Sequence, residues 1–132
     1  MRYLHTGEIT WIHDLVVEAT GGTKGIREKG LLESIVAKPK TTFGGRDLYP
    51  DVFAKAAAIY EAISSYHVFV DGNKRTAVLA ADRFLYINGY SLEVSNDELV
   101  SYTLKVATNH LDLAVIAEWI RRHARLERSE KA

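Results

Sequence analysis

The sequence predicts an all-α fold, a compact bundle of about six helices with one short flap hairpin or loop. Three observations predict it. Apolar residues recur at helical spacing through most of the chain, cap and stop residues bracket each periodic run, and the 132 residues contain only two prolines. That length fits one domain, since single domains most often run to about 100–150 residues. Residues 1–126 are assigned to it and 127–132 to a charged C-terminal tail.

The elements follow in order. Thr6 caps a first helix whose face is Ile9, Ile12, Leu15, Val16 and Ala19, and Gly21-Gly22 stops it. A second helix from about Arg27 buries Leu31, Leu32, Ile35 and Val36, until Pro39 ends it. Lys40–Tyr49 holds two adjacent glycines and no helical period, which predicts a loop or short hairpin. Pro50 in a first-turn position, with Asp51 beside it, opens a third helix to about Ser65. Its Ala54, Ala56, Ala57 and Ala58 allow close approach, while Phe53, Tyr60 and Ile63 fill volume.

A fourth helix begins near Asn73 with Ala77, Val78, Ala80, Ala81, Phe84, Leu85 and Ile87, and Asn88-Gly89 closes it. Helices this apolar on most sides belong at the centre. Ser91–Val94 reads as extended. Ser95-Asn96-Asp97-Glu98 is a capping box that starts a fifth helix with Leu99, Tyr102, Leu104 and Val106. Asp112 caps a last one containing Val115, Ile116, Trp119 and Ile120.

Composition removes several classes of function. Lys plus Arg equals Asp plus Glu at 17 each, so the basic excess of a duplex DNA binder is missing. The absence of Cys excludes disulfide scaffolds, thiolate zinc sites and cysteine nucleophiles. The start lacks the apolar core of a signal peptide. The stretches Phe53–Ile63 and Thr76–Leu85 are broken by Lys55, Glu61, Asp82 and Arg83, short of the ~20 apolar residues of a membrane span. A soluble, cytoplasmic protein is expected.

Chemistry concentrates between the third and fourth helices, in His67-Val68-Phe69-Val70-Asp71-Gly72-Asn73-Lys74-Arg75-Thr76. A helix turn needs only Gly and Asn, yet this one also carries a base, a carboxylate and two cations. The pattern describes an anion site. The free N–H groups at the start of the fourth helix carry partial positive charge, and Gly72 lets a phosphate approach the backbone. Arg75 offers a planar fork, Lys74 a point charge and Asn73 an amide donor. Asp71 supplies the hard oxygen that magnesium prefers, and His67 is able to take a proton near neutral pH. These are the parts of phosphoryl or nucleotidyl transfer to a hydroxyl.

Each part alone has a plainer explanation. His67 suits a satisfied helix-end histidine, Asp71 and Asn73 suit caps, and Arg75 suits a surface ion pair. Together at this spacing, caps explain neither His67 nor both cations. Phe69 is assigned to the core as the loop's anchor.

His67–Ala77 resembles the signature of the Fic/Doc family, His-x-Phe-x-(Asp/Glu)-(Gly/Ala)-Asn-(Gly/Lys)-Arg. The adenylyltransferase branch carries Gly after the Asn and a second Arg three residues beyond the first. This chain has Lys74 and Val78 there, both as in the Doc (death-on-curing) branch, the toxin half of bacterial toxin–antitoxin pairs. Gly25-Ile26-Arg27-Glu28 with Gly30–Ser34, Leu48–Asp51, and Leu85 with Asn88-Gly89-Tyr90 extend the resemblance over nearly the whole chain.

The resemblance implies a Fic fold and a protein kinase, the γ-phosphate of ATP or another nucleoside triphosphate passing to a threonine of elongation factor Tu and halting translation. By motif match, His67 is the base, Asp71 the ligand of Mg2+, and Gly72, Asn73, Lys74 and Arg75 the phosphate holders. Lys40–Tyr49 falls where the family has the flap that holds its target, although a plain connector explains that segment equally well. The Glu-bearing helix by which some family members restrain themselves is missing, which implies restraint in trans by a Phd-like antitoxin. The residues themselves do not separate γ-phosphate transfer from AMP transfer. A Fic-type adenylyltransferase is the alternative, and a noncatalytic binding module the second.

Outside the loop, His13-Asp14 looks like a metal pair but lacks a partner cluster and reads as surface or structural. Asn109, His110 and Asp112 suggest a turn. Trp11 and Trp119 are expected in the core, and Arg121–Ala132 as a solvated, fraying end.

Overall fold

The computed structural model describes residues 1–109 and 111–127. Its six helices are α1 (Thr6–Thr20), α2 (Lys29–Ala37), α3 (Val52–Tyr66), α4 (Asn73–Ile87), α5 (Asn96–Asn109) and α6 (Leu113–His123). Two small antiparallel pairs accompany them: β1 (Thr42–Phe43) with β2 (Arg46–Asp47), and β3 (Tyr90–Leu92) with β4 (Ala124–Leu126). The expected helical bundle with a flap hairpin is what forms.

α3 and α4 are central, as their composition predicts. Ala56, Ala57, Ala58 and Ala62 of α3 and Ala77, Ala80 and Ala81 of α4 are buried, so the two backbones pack closely. Ile59, Ile63, Phe84 and Leu85 fill the remaining space. α6 lies along the other side of α3 and inserts Ile116 and Ile120. α5 adds Val106 and the Thr103 hydroxyl, which hydrogen-bonds the Tyr60 hydroxyl. Burial pushes that phenol up to about 12, with the Thr103 bond acting in the opposite direction.

Several boundaries differ from expectation, each for a local reason. The N-cap of α1 is His5 and Thr6 is already helical: the His5 N–H donates to Glu8 Oε1 at 3.0 Å. α2 begins at Lys29 because the Arg27 N–H is taken by the Val68 carbonyl at 2.7 Å, which keeps that backbone extended. Pro39 sits in a 3-10 turn, Lys38–Lys40, directly after α2. Pro50 lies outside α3. Asp51 is the N-cap, and its Oδ1 accepts from the Ala54 N–H at 2.8 Å. The capping box of α5 forms as read, with Ser95 Oγ and Glu98 exchanging bonds.

The core expectation fails for Trp11, which is 64% exposed. Two positions along a helix is about 200° of rotation, so Trp11 faces away from Ile9 and His13. Leu15, Leu104 and Val115 are likewise exposed at the margins of their faces. Trp119 does pack against the core, stacked between Tyr102 and His123. Residues 121–126 are more ordered than their charge suggested. Arg121–His123 complete α6, and Ala124–Leu126 pair with Tyr90–Leu92. His110 and residues 128–132 lie outside the described residues.

The flap is tied down at its base. Gly44 and Gly45, at φ 61° and 80°, make the β1–β2 turn. Lys55 of α3, 2% exposed, donates from Nζ to the Pro39 carbonyl at 3.0 Å and to Asp47 Oδ2 at 3.3 Å. One buried ammonium therefore joins the second strand of the hairpin and the 3-10 turn that leads into it to the central helix. Lys38 Nζ reaches Glu61 Oε1 at 2.8 Å nearby. Burial opposes the charge on Lys38, but the Glu61 bond and carboxylate and the Tyr66 hydroxyl prevail and raise its pKa.

Candidate active site

The loop between α3 and α4 is built by its apolar members. Val68 and Phe69 are buried, while His67, Val70 and Asp71 face outward. The segment from 25 to 27 runs antiparallel to it: Ile26 bridges Phe69, Arg27 N–H donates to Val68 O, and Val70 N–H donates to Gly25 O at 3.0 Å. Arg27 Nη1 also donates to the His67 carbonyl at 3.3 Å. On the other side, the His13 ring stacks on Phe69 with centroids 3.8 Å apart. Phe69 is the anchor that the sequence predicted.

His67 closes α3 in the left-handed conformation, φ 54° and ψ 48°, the one non-glycine at positive φ among the described residues. Glycine is the usual choice at such a helix end. A histidine there stores roughly 1–2 kcal/mol of strain, and strain of this kind concentrates at functional positions.

The six predicted residues come together. His67, Asp71, Gly72, Asn73, Lys74 and Arg75 line one open cleft of about 320 Å³, with Thr20 and Val70 completing it. The first-turn N–H groups of α4 have no intrahelical acceptor, so they are free to take an anion. Lys74 and Arg75 are exposed, and neither makes an ion pair among the described residues, which removes the surface-pair explanation for Arg75. Lys74 and Arg75 outnumber the one Asp71 carboxylate in the cleft and, with the first-turn N–H groups, make it electropositive.

Asn73 has a task that the sequence did not show. Its Oδ1 accepts from the Phe69 N–H at 3.0 Å and its Nδ2 donates to the Phe69 carbonyl at 2.9 Å. The amide expected on a phosphate is engaged in closing the loop, and only its second N–H is left to face a ligand.

Asp71 Oδ1 accepts from the Gly72 N–H at 3.0 Å, and Oδ2 has a long contact of 3.4 Å with the Thr23 N–H. The exposed carboxylate keeps lone pairs for an ion. No group of three or more metal-ligating side chains occurs among the described residues. This donor set fits magnesium, which commonly takes one carboxylate and completes its shell with phosphate oxygens and water.

Sequence reasoning missed the supports. Gly22, read only as a helix stop, is needed because a Cβ there would lie 2.8 Å from Asp71 Oδ2. Gly72, at φ 76°, sits where a Cβ would meet Val16 at 3.3 Å. Beside the cleft, a mostly apolar groove of about 400 Å³ runs between α1, α4 and the start of α5, where Asp97 and Leu99 join its lining. Leu15, Val16, Val78 and Leu79 line it, and Thr20 and Arg75 join it to the cleft. None of the described helices is long and apolar enough to cross a membrane.

A helical bundle whose two central helices meet in this loop is the class of structure defined here. The Fic/DOC family profile matches residues 3–85, and the chain belongs to that family. Two relatives narrow the placement. Toxin Doc of Mycolicibacterium smegmatis is 44% identical over 101 residues, covering 75% of this chain and 78% of that protein. Protein kinase doc of Escherichia phage P1 is 30% identical over 122 residues, covering 92% and 95%. Within the family, the chain sits on the Doc branch.

Proposed function

We propose that this chain is the toxin of a toxin–antitoxin pair, a kinase that moves the γ-phosphate of ATP or another nucleoside triphosphate onto a protein hydroxyl. The acceptor is a threonine of elongation factor Tu, and translation stops in the cytoplasm as a result. One observation carries the reading: an exposed imidazole, a carboxylate and two exposed cations share a cleft with an open helix N-terminus.

His67 takes the proton from the acceptor hydroxyl, whose oxygen forms the new bond to the γ-phosphorus as the β–γ bridging P–O bond breaks and the nucleoside diphosphate leaves. Arg75, Lys74 and the first-turn N–H groups of α4 hold the phosphates and offset the charge on the leaving group. Asp71 is the residue that would hold magnesium, which supplies further neutralisation of the phosphate oxygens. Asn73 and Phe69 keep the loop in shape. Val78 favours γ-transfer over AMP transfer, because it gives no second guanidinium to seat a γ-phosphate as a bystander.

The apolar groove between α1 and α4 suits an amphipathic segment of a Phd-like antitoxin, which would thereby lie against the cleft mouth at Thr20 and Arg75. The exposed Phe43 of the flap suits contact with the acceptor.

Incubation with α-labelled and γ-labelled ATP and purified elongation factor Tu tests the reading. Label arriving from the γ position and lost in His67→Ala is expected. Label from the α position alone would establish the adenylyltransferase instead. Growth arrest that survives both His67→Ala and Asp71→Ala would move the assignment to a binding module.

A further inference from the structure

We propose that His13 is a positioning residue for Asp71, acting through the peptide bond between Asp71 and Gly72. This rests on reading the cleft as a magnesium-dependent phosphotransfer site. His13 lies on α1, is 1% exposed, and does not itself line the cleft. Its Nε2 is 2.7 Å from the Asp71 carbonyl oxygen. A carbonyl only accepts, so Nε2 carries the hydrogen and donates.

The carbonyl of Asp71 and the N–H of Gly72 are opposite ends of one planar unit. His13 holds the carbonyl end. The N–H end donates to Asp71 Oδ1 at 3.0 Å. Rotation of that plane would break both bonds, so the imidazole fixes the plane and the plane fixes the carboxylate. The ring is itself immobilised by the stack on Phe69, at 3.8 Å and 5°. Asp14 has no part in this: its carboxylate stands 3.9 Å from Nδ1, beyond hydrogen-bond distance.

Packing and donation make opposite predictions for two substitutions. His13→Phe keeps an aromatic ring on Phe69 and removes the donor. His13→Gln loses the stack and places an amide N–H where Nε2–H was. The first readout is exchange of the Gly72 amide by NMR. His13→Phe is expected to accelerate it roughly tenfold, the equivalent of one lost buried hydrogen bond, and His13→Gln to leave it near wild type. The second is the Mg2+ concentration for half-maximal phosphate transfer from ATP to elongation factor Tu. It should rise roughly tenfold in His13→Phe, with the ATP KM at saturating Mg2+ unchanged, and return in His13→Gln.

Wild-type behaviour of His13→Phe in both readouts overturns the proposal. So does a His13→Gln protein impaired in either, a result that stands alone if His13→Phe does not fold. If the wild-type chain transfers no phosphate, the kinase reading fails, and the Gly72 exchange still decides the role of His13.

Discussion

Replacing His67 with glycine should make the protein more stable and inactive. His67 occupies the left-handed region at φ 54°, where an L-residue is roughly 1–2 kcal/mol worse than glycine. Glycine returns part of that through its freedom in the unfolded chain, roughly 0.4–1 kcal/mol. The imidazole is exposed, so its loss removes little packing, and the Arg27 bond is to the His67 carbonyl, which glycine keeps. The net gain is about 1 kcal/mol, or a Tm increase of roughly 3–5 °C for a domain of this size.

His67→Ala is the control. Alanine also loses the base, but it keeps the Cβ and the strain, so its Tm should stay near wild type. Both variants should lose 100-fold or more in phosphate transfer, the order of magnitude for removing a general base. Thermal unfolding of the three proteins, alongside transfer from γ-labelled ATP, measures both effects. If His67→Gly is no more stable than His67→Ala, the strain argument is wrong. If it keeps transfer within tenfold of wild type, His67 is not the base. Stability given up at the proposed base is the expected cost of placing an imidazole where the backbone prefers glycine.

Three further outcomes follow from the geometry. Arg75→Ala should weaken nucleotide binding roughly 10–100-fold by titration calorimetry, the loss of one charge-assisted contact, with unchanged Tm because the side chain is exposed and unpaired among the described residues. Gly22→Ala should depress Mg2+-dependent transfer while barely changing stability: the new Cβ, 2.8 Å from Asp71 Oδ2, meets the movable end of a side chain and turns the carboxylate aside. Asp82 is half-buried, and burial raises its pKa despite an opposing Leu92 backbone bond. Its folded state therefore binds a proton more tightly than the unfolded chain, and stability falls as pH rises from the unfolded carboxyl range through the raised folded value. Asp82→Asn should be more stable than wild type at pH 7 in urea titrations, with the gain vanishing as the pH approaches 3.

The helices were legible because their signals are local. Apolar period, the Ser95–Glu98 box, Gly21 after α1 and Asn88-Gly89 after α4 all act within a few residues of the backbone they shape. The candidate site was legible for the same reason, since His67 through Arg75 is one continuous stretch. What escaped came from far along the chain. His13 touches Asp71 across 58 positions, and Gly22 matters only because α1 ends against that loop. Lys55 looked like an interruption in an alanine-rich helix, and its two acceptors, in the 3-10 turn at Pro39 and in the hairpin at Asp47, are 16 and 8 positions away. β4 was hidden because its partner strand is β3, and the charges on Arg121–Arg125 argue for solvent unless that pairing is known.

The division of labour in the loop explains why so short a segment suffices as a site. Its inward residues, Val68 and Phe69, contribute burial, and the Asn73 amide and the Gly25–Arg27 backbone satisfy their peptide groups. Buried backbone left unpaired would cost about 1–3 kcal/mol per group, so this pairing is a condition of the loop existing at all. Once the inward half is fixed, the outward residues need no contacts of their own for stability. His67, Lys74 and Arg75 are consequently exposed and open to a ligand. A site of this design tolerates loss of any one outward side chain as a folded protein. It loses its geometry when an inward anchor is removed: Phe69→Ala should cost roughly 3–5 kcal/mol through the cavity it leaves, measured by urea unfolding, and a variant as stable as wild type would show that the loop holds its shape some other way.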